Sequence, residues 1–151
     1  LSSSSAASDV YKRQDRAYIQ FGYSILIDAH SMPHEAVLNA SASLRTSQIV
    51  LGDRFGATCS PEIINDLIML VANTGLRASR NIPFSGAYIV QRYGSPGINR
   101  HAIQLEIDRS LYMDERKIQK LEKFHLLKDK LFNILKNFSQ GHSRATSIAA
   151  E

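Results

Sequence analysis

The feature that most limits the fold is the short run Tyr23-Ser24-Ile25-Leu26-Ile27-Asp28, in which apolar and β-branched side chains follow one another without alternation. A strand with one wet face alternates, whereas a strand covered on both faces reads as a near-continuous apolar run. The run empties into Asp28-Ala29-His30-Ser31-Met32-Pro33. Polar and titratable groups therefore collect at the C-terminal end of a buried strand, the edge where open α/β sheets bind ligands.

Further strands and helices are expected on either side. Residues 48–51 and 76–80 read as short strands, and His101 to Ile107 as a strand alternating between two faces. Ser60-Pro61-Glu62 opens a helix, with Ser60 as N-cap and Pro61 at the first helical position. Its apolar positions Ile63, Ile64, Leu67, Ile68 and Val71 recur at helical steps, and Gly75 supplies the stop. A last helix is expected from Glu115, capped by Asp114, to about Phe138, with Ile118, Leu121, Leu127, Leu131, Ile134, Leu135 and Phe138 as its stripe. Residues 35–47 lack a firm period and read as a loop. Strands alternating with helices give an α/β layered sheet with flanking helices.

The 151 residues suit one domain. Three segments are expected within it: 1–14, 15–138 and a polar, frayed tail at 139–151. Leu1 to Ser8 is Ser/Ala low complexity, and DVYKRQ at 9–14 is what a common transposon-end adapter gives when translated in one frame. Residues 1–14 are accordingly expected to be a disordered, adapter-derived leader, leaving a domain that lacks its own N-terminal part.

Hydrophobic content of 44% and charged content of 21% are ordinary for a soluble domain. No run approaches the roughly 18 apolar residues of a membrane span, so no membrane partner is expected. One cysteine, Cys59, excludes an intrachain disulfide and fits a reducing cytosol. The net charge of +4 draws on Lys117, Lys120, Lys123, Lys128, Lys130 and Lys136. They lack the aromatic interleaving of a nucleic-acid surface, so a solvated helix face is expected and no nucleic-acid partner.

Two constellations can carry chemistry. His30 at the strand mouth can offer a ring nitrogen to a metal while Asp28 orients the ring; a surface histidine is the plain alternative. Glu106, flanked by apolar residues in Ile103-Gln104-Leu105-Glu106-Ile107, is costly to bury without a partner and suits general-base work; the alternative is a carboxylate turned to solvent on an edge strand. Arg54, Arg80, Arg92 and Arg100 fall in loops and can bind carboxylates as forks, though each also fits a structural ion pair. Cys59 reads as packed. His34, His125 and His142 lack partners at useful spacing.

The ordered blocks LIDAHSMP (26–33), IVLGDRFGATC (49–59), SRNIPFSGAYI (79–89), RYGSP (92–96) and HAIQLEIDRSLYMDE (101–115) resemble the N-formylglutamate amidohydrolase family over roughly residues 15–138. The resemblance implies a fold similar to the zinc carboxypeptidases and hydrolysis of N-formyl-L-glutamate to formate and the free amino acid, in histidine breakdown. It implies Zn2+ as cofactor, His30 as a metal ligand and Glu106 as the base that activates water. The remaining ligands are then expected upstream of this chain. Arg54 and Arg80 lie in well-matched blocks and are expected to hold the carboxylates of a small anionic N-acyl amino acid, with Tyr88 and His101 in the same pocket. Arg92 stands where family members often carry histidine, and Gly86-Ala87 where they often carry Gly-Gly. Two rival readings stay open: a related zinc N-acyl-amino-acid hydrolase or carboxypeptidase, and a non-catalytic binding module on the same fold.

Overall fold

The computed structural model describes residues 3–40 and 46–148. In chain order the elements are α1 (Ser3–Phe21), β1 (Ser24–Met32), α2 (His34–Leu38), β2 (Ile49–Gly52), α3 (Pro61–Asn73), β3 (Ala78–Arg80), α4 (Tyr88–Tyr93), β4 (Arg100–Asp108), β5 (Met113–Asp114), β6 (Gln119–Lys120) and α5 (Phe124–Ile148). The main sheet has the order β1-β4-β2-β3. β1 runs parallel to β4, β2 parallel to β3, and the two pairs meet antiparallel between β2 and β4. The architecture is a mixed α/β sheet with flanking helices, as the alternation of patterns predicts.

One face of the sheet carries the main core. Ile49, Leu51, Ile103 and Leu105 pack there against Ile64, Leu67 and Val71 of α3 and Leu127, Ile134 and Phe138 of α5. The other face carries a smaller cluster of Met32, Val37 and Val50, with Phe84 against it. Because both faces are covered, β4 is buried continuously from His101 to Glu106 rather than alternating. The expected one-sided strand is thus an interior one.

Other expectations change. Residues 3–14 are helical, and that helix is tied to the domain. Gln14 is buried and donates to the Tyr93 carbonyl at 3.0 Å, Asp15 pairs with Arg100 at 2.6 Å, and Tyr18 lies under the same guanidinium. The last helix begins at Phe124, not Glu115. Asp114 Oδ1 accepts from the backbone N–H groups of Arg116 and Lys117, so it closes a turn of the β5–β6 hairpin instead of capping a helix. Ile118 adopts φ +53 and is exposed, which removes it from the helical stripe. At the far end the backbone stays helical to Ile148, beyond the Phe138 limit of the apolar stripe. Within the segment read as a loop, residues 34–38 form α2, and residues 41–45 lie outside the described residues.

Candidate active site

The register of β1 and β4 assembles a polar row. Asp28 faces Gln104 and His30 faces Glu106 across the parallel pair. Register neighbours share a side of the sheet and successive residues alternate. Ile25, Ile27, Ile103 and Leu105 belong to the main core, so Asp28, His30, Gln104 and Glu106 share the opposite side, near the C-terminal ends of both strands.

Each member of the row is held. His30 Nε2 lies 2.9 Å from Asp28 Oδ1, with the imidazole half-exposed and the carboxylate mostly covered. A neutral ring donating Nε2–H to Asp28 presents its lone pair at Nδ1. Glu106 is only 8% exposed on an interior strand, which excludes the edge-strand alternative. Its Oε1 accepts from Gln104 Nε2 at 2.7 Å, and Gln104 Oε1 accepts from the Ala87 N–H at 2.6 Å. Glu106 Oε2 and Asp28 Oδ2 are buried without a hydrogen-bond partner. A buried carboxylate oxygen without a donor is costly. Two on one sheet face, beside an imidazole, suit a bound water, a cation or a substrate N–H. Among the described residues, no three His, Cys, Asp or Glu side chains converge as a metal cage.

The arginines and Tyr88 are positioned by a tightly folded segment over β2. Gly52 lies so close to the Ser85–Gly86 backbone that a Cβ there would meet Gly86 N at 2.6 Å. Arg54 and Phe55 take positive φ values of 51 and 58, a strained choice for non-glycine residues. Arg54 Nη1 donates to the Gly86 carbonyl at 3.1 Å. Tyr88, at the first position of α4, is exposed and follows the Ala87 that contacts Gln104. Arg54 and Tyr88 thus border the loop that touches the row.

Arg80 and His101 are placed elsewhere. Arg80 aligns with Leu51, a main-core residue, and forms a two-point pair with fully buried Asp53, Nη2 to Oδ2 at 2.6 Å and Nε to Oδ1 at 3.1 Å. The hydrogen bonds it donates to Asp53 favour the charged guanidinium and raise its pKa further. His101 is five residues before Glu106, on the opposite side of β4 and roughly 16 Å along the strand. Its Nδ1 accepts from the Ser60 N–H at 3.3 Å, and burial, followed by the charge of His142, lowers its pKa. It lines a cleft of about 420 Å³ with Phe21, Glu62, Ile63 and His142 at the other end of the sheet.

Two residues gain roles that local spacing did not indicate. His34 Nδ1 lies 2.8 Å from Asp108 Oδ2 and 3.3 Å from Ser110 Oγ, and its backbone N–H donates to Glu115. Its partners come from 74 or more residues away in sequence, beyond the reach of local reading. The available signal was Asp108 continuing the alternation of Gln104 and Glu106. Gln104 is the other, hidden by its neutral side chain. Cys59 is buried as expected, and burial, then the nearby Asp53 carboxylate, pushes its thiol up to about 12.

Comparison with known proteins bears on the family and the fold. A sequence description of the N-formylglutamate amidohydrolase family matches residues 9–113. The chain is 37% identical over 102 residues to N-formylglutamate deformylase of Pseudomonas putida, covering 67% of this chain and 38% of that protein. Against N-formylglutamate deformylase of Pseudomonas aeruginosa it is 35% identical over 106 residues, again with 67% and 38% covered. The crystal structure of N-formylglutamate amidohydrolase from Ralstonia eutropha JMP134 superposes with a TM-score of 0.80 at 29% identity, over 88% of this chain and 49% of that one. The chain spans well under half the length of these curated relatives.

Proposed function

Because the chain belongs to the N-formylglutamate amidohydrolase family, we propose that its protein hydrolyses N-formyl-L-glutamate, or a close N-formyl amino acid, to formate and the free amino acid. The observation that carries the reading is the buried, unpartnered Oε2 of Glu106, one register position across from His30. A base needs a free oxygen in a site from which bulk water is largely excluded, and Glu106 has one.

On this reading Glu106 takes a proton from the attacking water at Oε2 and returns it to the departing amine nitrogen. His30 would hold a zinc ion through the Nδ1 that its contact with Asp28 leaves free, Asp28 fixing the ring from Nε2. When bound, zinc supplies Lewis-acid polarisation of the formyl carbonyl and a more acidic water. Arg54 and Tyr88 meet the substrate carboxylates at the loop edge, and Arg80 braces that loop through Asp53 and stays away from the reacting atoms. A catalytic zinc ordinarily takes three protein ligands, and we assign the remainder to sequence outside these residues, in a complete fold of the zinc carboxypeptidase type. The 151 residues alone then bind zinc weakly and turn over no substrate; tight, near-stoichiometric zinc on this chain by metal analysis would refute that assignment. We place the protein in the cytoplasm, where the single thiol stays reduced.

The deciding assay is formate release by the complete protein from N-formyl-L-glutamate, with N-acetyl- and N-succinyl-glutamate in parallel. Glu106→Gln should lower turnover by about 10²- to 10⁴-fold. Normal turnover in that variant sinks the mechanism. Faster hydrolysis of the acetyl or succinyl compound reassigns the substrate within N-acyl amino acids.

A further inference from the structure

Gln104 is a neutral residue between two strong features, and its two hydrogen bonds fix its orientation without ambiguity. The Ala87 backbone N–H can only donate, so the side-chain atom it meets, at 2.6 Å, is the amide oxygen. The NH2 group then points at Glu106 Oε1, 2.7 Å away, and an ionised carboxylate can only accept. Both contacts demand the same rotamer. Gln104 is 5% exposed, so no solvent competes for either bond.

The consequence falls on Glu106. With Oε1 occupied by a donor, Oε2 is the oxygen left without a partner. We propose that Gln104 is a positioning residue for the general base: it ties down Oε1, presents Oε2 to the water, and links the base to the 81–88 loop through Ala87. The inference rests on the reading of Glu106 as base and deepens it. In the step concerned, a water O–H bond breaks, its proton goes to Glu106 Oε2, and the water oxygen bonds the formyl carbon as the C=O π pair moves onto the carbonyl oxygen; when that pair returns, the C–N bond breaks and the amine nitrogen takes the proton from Oε2. The Nε2–H donation keeps the proton off Oε1, so it is held on the oxygen facing the substrate until the amine leaves.

Two variants of the complete protein test this. Gln104→Glu keeps an acceptor for the Ala87 N–H but sets a second carboxyl against Glu106. At low pH the introduced carboxyl can stay protonated and donate in place of the amide; at higher pH two like charges oppose each other. Its kcat relative to wild type should therefore fall by about tenfold or more as pH rises from about 5.5 to about 8, with KM changed less than about threefold. A ratio constant across pH would overturn the proposal. Gln104→Met removes donor and acceptor, and should lower kcat by about 10- to 100-fold in the wild-type background but add no further loss to Glu106→Gln. Equal losses in both backgrounds would mark Gln104 as a fold-support residue only. Should Glu106→Gln itself turn over normally, the base reading fails; should it be impaired while Gln104→Met keeps full kcat, only the positioning role fails.

Discussion

His30 and Glu106 stand opposite each other in the parallel register of β1 and β4, 76 residues apart in sequence and on the same side of the sheet. Neither side chain could reach the other's neighbourhood if the register slipped by one residue, because every side chain on the slipped strand would change face. The alignment is enforced by the main core on the opposite side. Ile25 and Ile27 must stay with Ile103 and Leu105 against α3 and α5, and this leaves the intervening Asp28, His30, Gln104 and Glu106 together. The apolar code that folds the sheet also aligns the candidate chemistry.

Asp28 is expected to matter through His30. Its Oδ1 holds Nε2 at 2.9 Å and so fixes which ring nitrogen is free. Asp28→Asn in the complete protein should weaken zinc affinity by about 10- to 100-fold, as loss of a residue behind a ligating histidine typically does. Competition with a chelator of known affinity measures it, and an unchanged affinity would remove His30 Nδ1 as ligand.

Asp53 is expected to be a stability residue. It is fully buried, accepts two bonds from Arg80 and one from Asn81, and its own backbone N–H donates to Asn81. Asp53→Ala strands those donors; with Arg80 one-third exposed, water recovers part of the loss, and about 3 kcal/mol of unfolding free energy should disappear. Asp53→Asn, which keeps one acceptor, should lose less. Urea unfolding decides, and an Asp53→Ala protein within about 1 kcal/mol of wild type would show the network to be dispensable.

The contrast between these residues shows what the sequence could convey. The unbroken run at 23–28 announced a strand because that signal is local, but β1 is a half-buried edge strand rather than one covered on both faces, and it continues through the polar DAHS to Met32. Glu106 was visible as a carboxylate among apolar neighbours, but its free oxygen depends on Gln104 and Ala87, a contact across 17 residues. Arg80 looked like a substrate fork because a guanidinium in a loop carries no mark of its partner; Asp53 is 27 residues away. Asp114 failed as a helix cap because the same side chain can close a turn equally well, and Ile118 in the left-handed region shows the turn won. His101 shared a strand with Glu106, yet the odd spacing of five already placed it on the opposite side.

Cys59 is expected to be chemically silent. Its thiol is fully buried and pushed up to about 12, first by burial and then by the Asp53 carboxylate. The folded chain should resist alkylation at pH 8 and react at once when denatured. The linked effect has a definite sign. An unfolded thiol ionises near 9.0 and the folded one near 12, so this group's contribution is intact below 9.0 and is lost as pH rises toward 12. Cys59→Ala should flatten that alkaline decline, and equal alkaline slopes for the two proteins would contradict the assignment.

His101 should set part of the acid limit of stability. It is 5% exposed, accepts the Ser60 N–H at Nδ1, and burial followed by His142 holds its pKa below 6.5. Unfolding releases the ring to its ordinary value, so the unfolded chain binds the proton first as pH falls. The stability contributed by neutral His101 is present above 6.5 and is lost as pH drops through the lower folded value. His101→Asn keeps an acceptor for Ser60 and removes the titration. Urea midpoints compared between about pH 5 and 7 should fall for wild type and stay flatter for the variant. Parallel curves would show that the proton does not enter at this ring, and that the opposite end of β4 plays no part in acid unfolding.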